Sequence, residues 1–171
     1  MKKIPIIVLF VLIFFISPND SRSTVIKSVK KIKVIDGDTI NLNGTKIRFS
    51  GIDAPESNFM GKAQFCINKK EDKINCGNLS KKYLQKIILN REVTCKIETK
   101  PDQYNRKLGE CFIENKSLSK ILVRNGYAFD YPKYSKNKFL IDQNYAKKKN
   151  LGLWKTKFDF PWVFRKKIRN K

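Results

Sequence analysis

The chain contains no histidine at all. That absence removes Ser-His-Asp hydrolysis, histidine-driven phosphodiester cleavage and the common zinc hydrolase sites, since all of them need imidazole. Acid/base chemistry must then run on carboxylates, lysine, tyrosine or metal-bound water. Carboxylates are themselves scarce, at 15 Asp and Glu against 37 Lys and Arg. Cysteine is limited to four residues with no C-x-x-C pair, which argues against zinc and, in an exported chain, for disulfides. Cys66, Cys76, Cys95 and Cys111 allow three connectivities; Cys66–Cys76 and Cys95–Cys111 are favoured because each joins sequence neighbours. No apolar run reaches the roughly 20 residues of a bilayer span. The longest, Ile4 to Ile16, follows Met1-Lys2-Lys3 and gives way to Ser17-Pro18-Asn19-Asp20, the pattern of a secretory signal over residues 1–24. No clean small-x-small cleavage site follows, so a retained anchor stays open as the alternative to a removed leader. Residues 25–171 then form one domain, either exported or held at a membrane by that segment.

What the chain has in excess is positive charge, a formal +22 with a pI near 10.0. Such a surface favours nucleic acid over neutral partners. Against that background Asp36, Asp38, Asp53 and Glu56 fall close together in VIDGDTINLNGTKIRFSGIDAPE, around Arg48. Acids concentrated in a basic chain point to a metal or acid/base site set in a surface that attracts polyanions.

Hydrophobic periodicity places the elements. Val25 to Val34 alternates as a first strand, Asp36-Gly37-Asp38 turns the chain, Thr39 to Leu42 is a second strand, Asn43-Gly44 a tight turn, and Lys46 to Ile52 a third. Leu79, Tyr83, Leu84, Ile87 and Ile88 recur at helical spacing up to Asn90. Glu92 to Lys100 and Lys107 to Ile113 alternate as two more strands, on which Cys95 and Cys111 could face each other. A helix follows Ser117 as N-cap and ends before Gly126, with Leu118, Ile121 and Leu122 inward. A last helix spans about Asn137 to Lys149, with Phe139, Asp142, Tyr145 and Ala146 on one side. The sum is an α+β fold, a five-stranded OB-type β-barrel with about three packed helices.

Three segments carry a resemblance: Val34-Ile35-Asp36-Gly37-Asp38-Thr39, Ile47 to Glu56, and Asp102-Gln103-Tyr104-Asn105-Arg106. In this order and spacing they resemble the signatures of the thermonuclease (staphylococcal nuclease) family, and Gly152-Leu153-Trp154 and Pro161-Trp162 are similar to the C-terminal end of its secreted bacterial members. The resemblance implies an exported, Ca²⁺-dependent, sugar-nonspecific endonuclease acting on DNA and RNA as a monomer without a stable protein partner. It further implies Asp38 and Asp53 as Ca²⁺ ligands, the Ala54 carbonyl as a third, and Asp36 nearby through water. Glu56 becomes the general base, Arg48 and Arg106 the phosphate clamps, and Tyr104, Tyr131 and Tyr134 the nucleotide pocket.

The chemistry agrees: calcium is a hard cation that takes oxygen ligands in irregular geometry, and the planar guanidinium fork suits a phosphate better than ammonium does. Two positions depart from the family pattern, Ala54 in place of threonine and Asn105 in place of glycine. A non-catalytic OB-fold module that binds nucleic acid is the competing reading; the presence of Arg48, Glu56, Arg106 and both metal aspartates weighs against it.

Overall fold

Asn43 and Gly44 both sit at positive φ, 52° and 84°. This pair of angles defines the tight hairpin turn whose twist matches that of its strands. It joins Thr39–Leu42 (β3) to Thr45–Phe49 (β4) in antiparallel register, with Thr39 opposite Arg48 and Ile40 opposite Ile47. The computed structural model describes residues 24–29, 31–102 and 104–170; the leader expected over 1–24 lies outside these, except for Thr24. Among the described residues no helix is long and apolar enough to cross a membrane.

The first strand expected from the alternation is two. Thr24–Ser28 (β1) and Ile32–Asp36 (β2) are separate, β1 pairing with Val93–Ile97 (β8) and β2 with β3. The third expected strand also ends early: β4 stops at Phe49, Gly51 takes a φ of 75°, and Ile52–Asp53 (β5) leaves the sheet to pair with Phe129–Asp130 (β11). Lys107–Ile113 (β9) lies antiparallel to β8 and parallel to β4, and Lys116–Ser117 (β10) pairs with β9. The main sheet is therefore seven-stranded, in the order β1-β8-β9-β4-β3-β2 with β10 attached to β9, and it curls round a core of Ile40, Leu42, Ile47, Phe49, Val93 and Leu122.

Among the described residues there are five α-helices where about three were expected. Phe65–Ile67 (β6) and Lys73–Asn75 (β7) form a hairpin leading into Cys76–Ile88 (α1), whose N-cap Asn75 accepts from the Asn78 amide. Leu118–Arg124 (α2) begins at Ser117, which accepts from the Lys120 amide, and buries Leu118 and Leu122. Pro132–Ser135 (α3) is a single turn, and Leu140–Lys148 (α4) buries Asp142 and Ala146 while Tyr145 stays outside under Arg124. Pro161–Arg169 (α5) closes the chain, with proline where a helix tolerates it best. The aromatic run ahead of it is a second small core: Phe129 meets Trp154, Phe158 and Phe160 with ring centroids 4.8–5.4 Å apart, beside Cys66 and Cys76.

Cys95 and Cys111 are direct cross-strand partners on β8 and β9 and are bonded to each other; Cys66 is bonded to Cys76. Both bridges are the sequence-neighbour pairs. Replacing Cys95 and Cys111 together by alanine is expected to lower unfolding free energy by about 3 kcal/mol, the entropy that a bridge of this span withdraws from the unfolded chain. Urea unfolding of the variant beside the oxidised protein measures it.

Candidate active site

The loop after β5 packs so closely on the turn after β2 and on the start of α1 that neither Gly37 nor Gly77 has room for a side chain. A Cβ at Gly37 would lie 2.7 Å from that of Ser80 and 2.8 Å from that of Ala54. A Cβ at Gly77, on the first turn of α1, would run into the Glu56 carbonyl. Asp36 accepts from the Gly37 amide at 2.8 Å and the Ser57 amide at 3.2 Å, while Asp38 accepts from the Ala54 amide at 2.9 Å. The two aspartates of the Asp36-Gly37-Asp38 turn thus hold the 54–57 loop directly. Glu56 does not cap α1, whose cap is Asn75. The buried Gln64 instead grips Glu56 by its backbone, receiving the Glu56 amide at 3.3 Å and donating its own to the Glu56 carbonyl at 2.9 Å.

Around this loop the acids close on two arginines. Arg48 reaches across from β4 and donates to Asp38 Oδ1 and to Asp53 Oδ1, both at 2.6 Å. Arg165 comes from α5 and donates to Asp53 Oδ1 at 2.9 Å, Asp53 Oδ2 at 2.7 Å and Glu56 Oε1 at 2.6 Å. The Asp53 side chain is 0% exposed and that of Glu56 14%. Arg48 is therefore no solvated strand face: it is the counter-ion of two buried carboxylates.

Burial is the largest influence on the acids here. It pushes Asp36 up to about 6, helped by Asp38 and opposed by the amides of Gly37 and Ser57. It pushes Glu56 up to about 7, again with Asp38 adding and Arg165 opposing. Burial also raises Asp53, against the pull of Arg165 and Arg48. Burial works against the charge on Arg48 and Arg165, but the facing carboxylates outweigh it and both titrate above the ordinary arginine value.

The other expected residues lie at the margin. Arg106 stands outside the network: its Nε and Nη2 are bound to Asp102 Oδ2 at 2.7 and 2.6 Å. Although burial opposes it, the hydrogen bonds from Arg106 hold Asp102 below the usual carboxylate range. Asn105 takes a φ of 57°, the left-handed turn that a glycine would supply and that asparagine tolerates. Tyr104 is exposed and its hydroxyl accepts from Arg169 at 2.8 Å. Arg169 is one turn beyond Arg165 on the same face of α5, where Cβ atoms sit about 5–6 Å apart, so one helix face holds both Tyr104 and the acidic cluster. Tyr131 meets Tyr134 edge-on at 4.9 Å, and its face is covered by Trp162, parallel at 5.0 Å.

Arg165, Trp162 and Gln64 are the residues that reading the sequence missed. Phe160-Pro161-Trp162 carried a signal, since proline opening a run with Trp162, Arg165 and Arg169 at helical spacing marks a helix N-terminus and one face. Nothing local distinguishes Gln64.

The donor set, four carboxylates and the Ala54 carbonyl, is all hard oxygen and fits a divalent ion such as Ca²⁺ in kind. Its oxygens, however, are engaged by guanidinium groups, and among the described residues no three acidic side chains gather round a common point.

Residues 46–156 match the family described as Staphylococcal nuclease homologue. Among curated proteins the chain is similar to the succinoglycan biosynthesis protein ExoI of Rhizobium meliloti, 29% identical over 129 residues, which are 74% of this chain and 64% of that protein. It is similar to endonuclease YhcR of Bacillus subtilis, 31% identical over 156 residues, or 81% of this chain and 12% of that one. It is also similar to the probable endonuclease LCL3 of Komagataella phaffii, 30% identical over 140 residues, or 74% of this chain and 54% of the relative. The chain spans less than two thirds of each of these relatives.

Proposed function

This chain belongs to the staphylococcal nuclease family, and from that membership we propose that it is a nuclease, an exported Ca²⁺-dependent endonuclease that hydrolyses phosphodiester bonds in DNA and RNA. The observation that carries the reading is the convergence of Asp38 with Asp53 and Glu56 of the following loop into one ion-pair network through Arg48 and Arg165. Relatives named as endonucleases support the reaction class. Two disulfides support an oxidising compartment.

Asp38, Asp53 and the Ala54 carbonyl would hold Ca²⁺, with Asp36 beyond them. When bound, the ion supplies charge neutralisation at the phosphate. Glu56 takes the proton of the attacking water, a task for which a carboxylate raised toward neutrality is suited. Arg48 offsets charge on the phosphate oxygens. Arg106 reaches the phosphate by exchanging Asp102 for it, one acceptor with two oxygens for another. Tyr104 and Tyr134, both exposed, offer rings on which bases stack without sequence preference. The remaining lysines gather the polyanion, so binding weakens with salt.

Incubation of the purified protein with plasmid and with RNA, in Ca²⁺ or in chelator, tests this. Cleavage of both, lost on chelation, is expected; no cleavage in any condition returns the chain to the binding-module reading. Arg106→Lys is expected to lower turnover about tenfold or more with the charge kept, because ammonium cannot make two parallel bonds. Steady-state kinetics with kcat at the wild-type value would remove Arg106 from the phosphate.

A further inference from the structure

We propose that α5 is an internal occupant of the site: the Arg165 guanidinium and a divalent ion compete for Asp53 and Glu56, so that metal entry requires α5 to lift. This rests on the reading of the cluster as a metal and base centre.

Three observations converge on one helix. Arg165 forks onto both oxygens of Asp53 and onto Glu56 Oε1, at 2.6–2.9 Å. With Arg48 also on Oδ1, three of the roughly four acceptor positions of that carboxylate are filled. One turn before Arg165, Trp162 lies flat on Tyr131, with planes 5° apart, where a base would stack. One turn after it, Arg169 holds the Tyr104 hydroxyl. Residues 162, 165 and 169 share one helical face. Asp53, Glu56 and the face of Tyr131 are thus covered, and the Tyr104 hydroxyl held, by a single element.

The helix is also built to let go. After Pro161 none of its residues is fully buried, and Lys166, Lys167 and Arg169 are exposed. A short helix that rests on ion pairs and on aromatic stacking, with no side chain beyond Pro161 fully buried, can open locally while the sheet stays folded. Charge supplies the exchange. Arg165 brings one positive charge to Asp53 and Glu56, and a dication brings two to the same oxygens.

Calcium titration by calorimetry on the oxidised full chain, comparing wild type, Arg165→Gln and Asp38→Asn, tests the proposal. Arg165→Gln is expected to bind Ca²⁺ at least about tenfold tighter than wild type, as removal of a competing internal ligand requires, with Asp38→Asn binding far more weakly. Equal or weaker binding by Arg165→Gln, with Asp38→Asn still impaired, overturns the competition and leaves the metal reading standing. Asp38→Asn binding like wild type overturns the metal reading and the proposal with it. Hydrogen exchange on the wild type needs no variant to fold: adding Ca²⁺ without nucleic acid is expected to speed exchange of the 162–169 amides. Unchanged or slower exchange there, in protein that calorimetry shows to be loaded, overturns the proposal.

Discussion

Glu56→Gln is expected to cut hydrolysis of DNA and RNA by at least ~10²-fold while leaving nucleic-acid binding near the wild-type level. The amide keeps the shape and the oxygen that accepts from Arg165, and Gln64 holds the loop through backbone atoms that the change does not touch. Only the capacity to take a proton from water is removed. Single-turnover cleavage beside a binding titration in chelator separates the two effects, and equal cleavage by both proteins would assign the base elsewhere.

The same variant carries a stability signature. Burial and Asp38 raise the Glu56 carboxyl from 4.5 to about 7 in the folded protein. Between those values the folded state binds more protons than the unfolded one, so this group's contribution is present at low pH and lost as pH rises through about 7. Glutamine has no such loss. The variant is therefore expected to gain on the wild type in denaturant midpoint as pH rises from 4 to 8.

Arg48→Met is expected to be the most damaging single change to the fold among the site residues. It leaves the buried Asp38 and Asp53 without the guanidinium that binds both at 2.6 Å. Breaking a buried pair by removing one partner costs about 3–5 kcal/mol. In a chain of this size each kcal/mol is worth ~2–4 °C, so melting should fall by about 6–20 °C. Arg48→Lys should recover part of this, since one ammonium cannot serve two carboxylates in the fixed geometry of the fork. Calorimetric melting decides it: a shift below about 2 °C for Arg48→Met would show that the aspartates do not depend on Arg48.

Local chemistry was legible where one or two residues dictate the backbone. Asn43-Gly44 allows little besides the tight hairpin turn, Ser117 caps the helix that follows it, and Asn105 adopts the left-handed angle its side chain permits. Family membership was legible because three motifs stand in order. The division of the first strand was not, because Val25 to Val34 mixes apolar and basic residues with no glycine or proline to mark a break, while β1 and β2 choose different neighbours. Arg165 was hidden for another reason. It is one of 37 basic residues, and its partner Asp53 is 112 positions away. A single ion pair across that distance leaves no periodic trace; only the docking of Phe158, Phe160 and Trp162 makes it possible.

Strand β1 lies along β8 from Thr24, opposite Ile97, to Ser28, opposite Val93. A cut after Ser28 strips away the whole outer ribbon and bares the β8 backbone, an open edge on which a second polypeptide can zip. Overtrimmed protein should therefore come off a sizing column as aggregates.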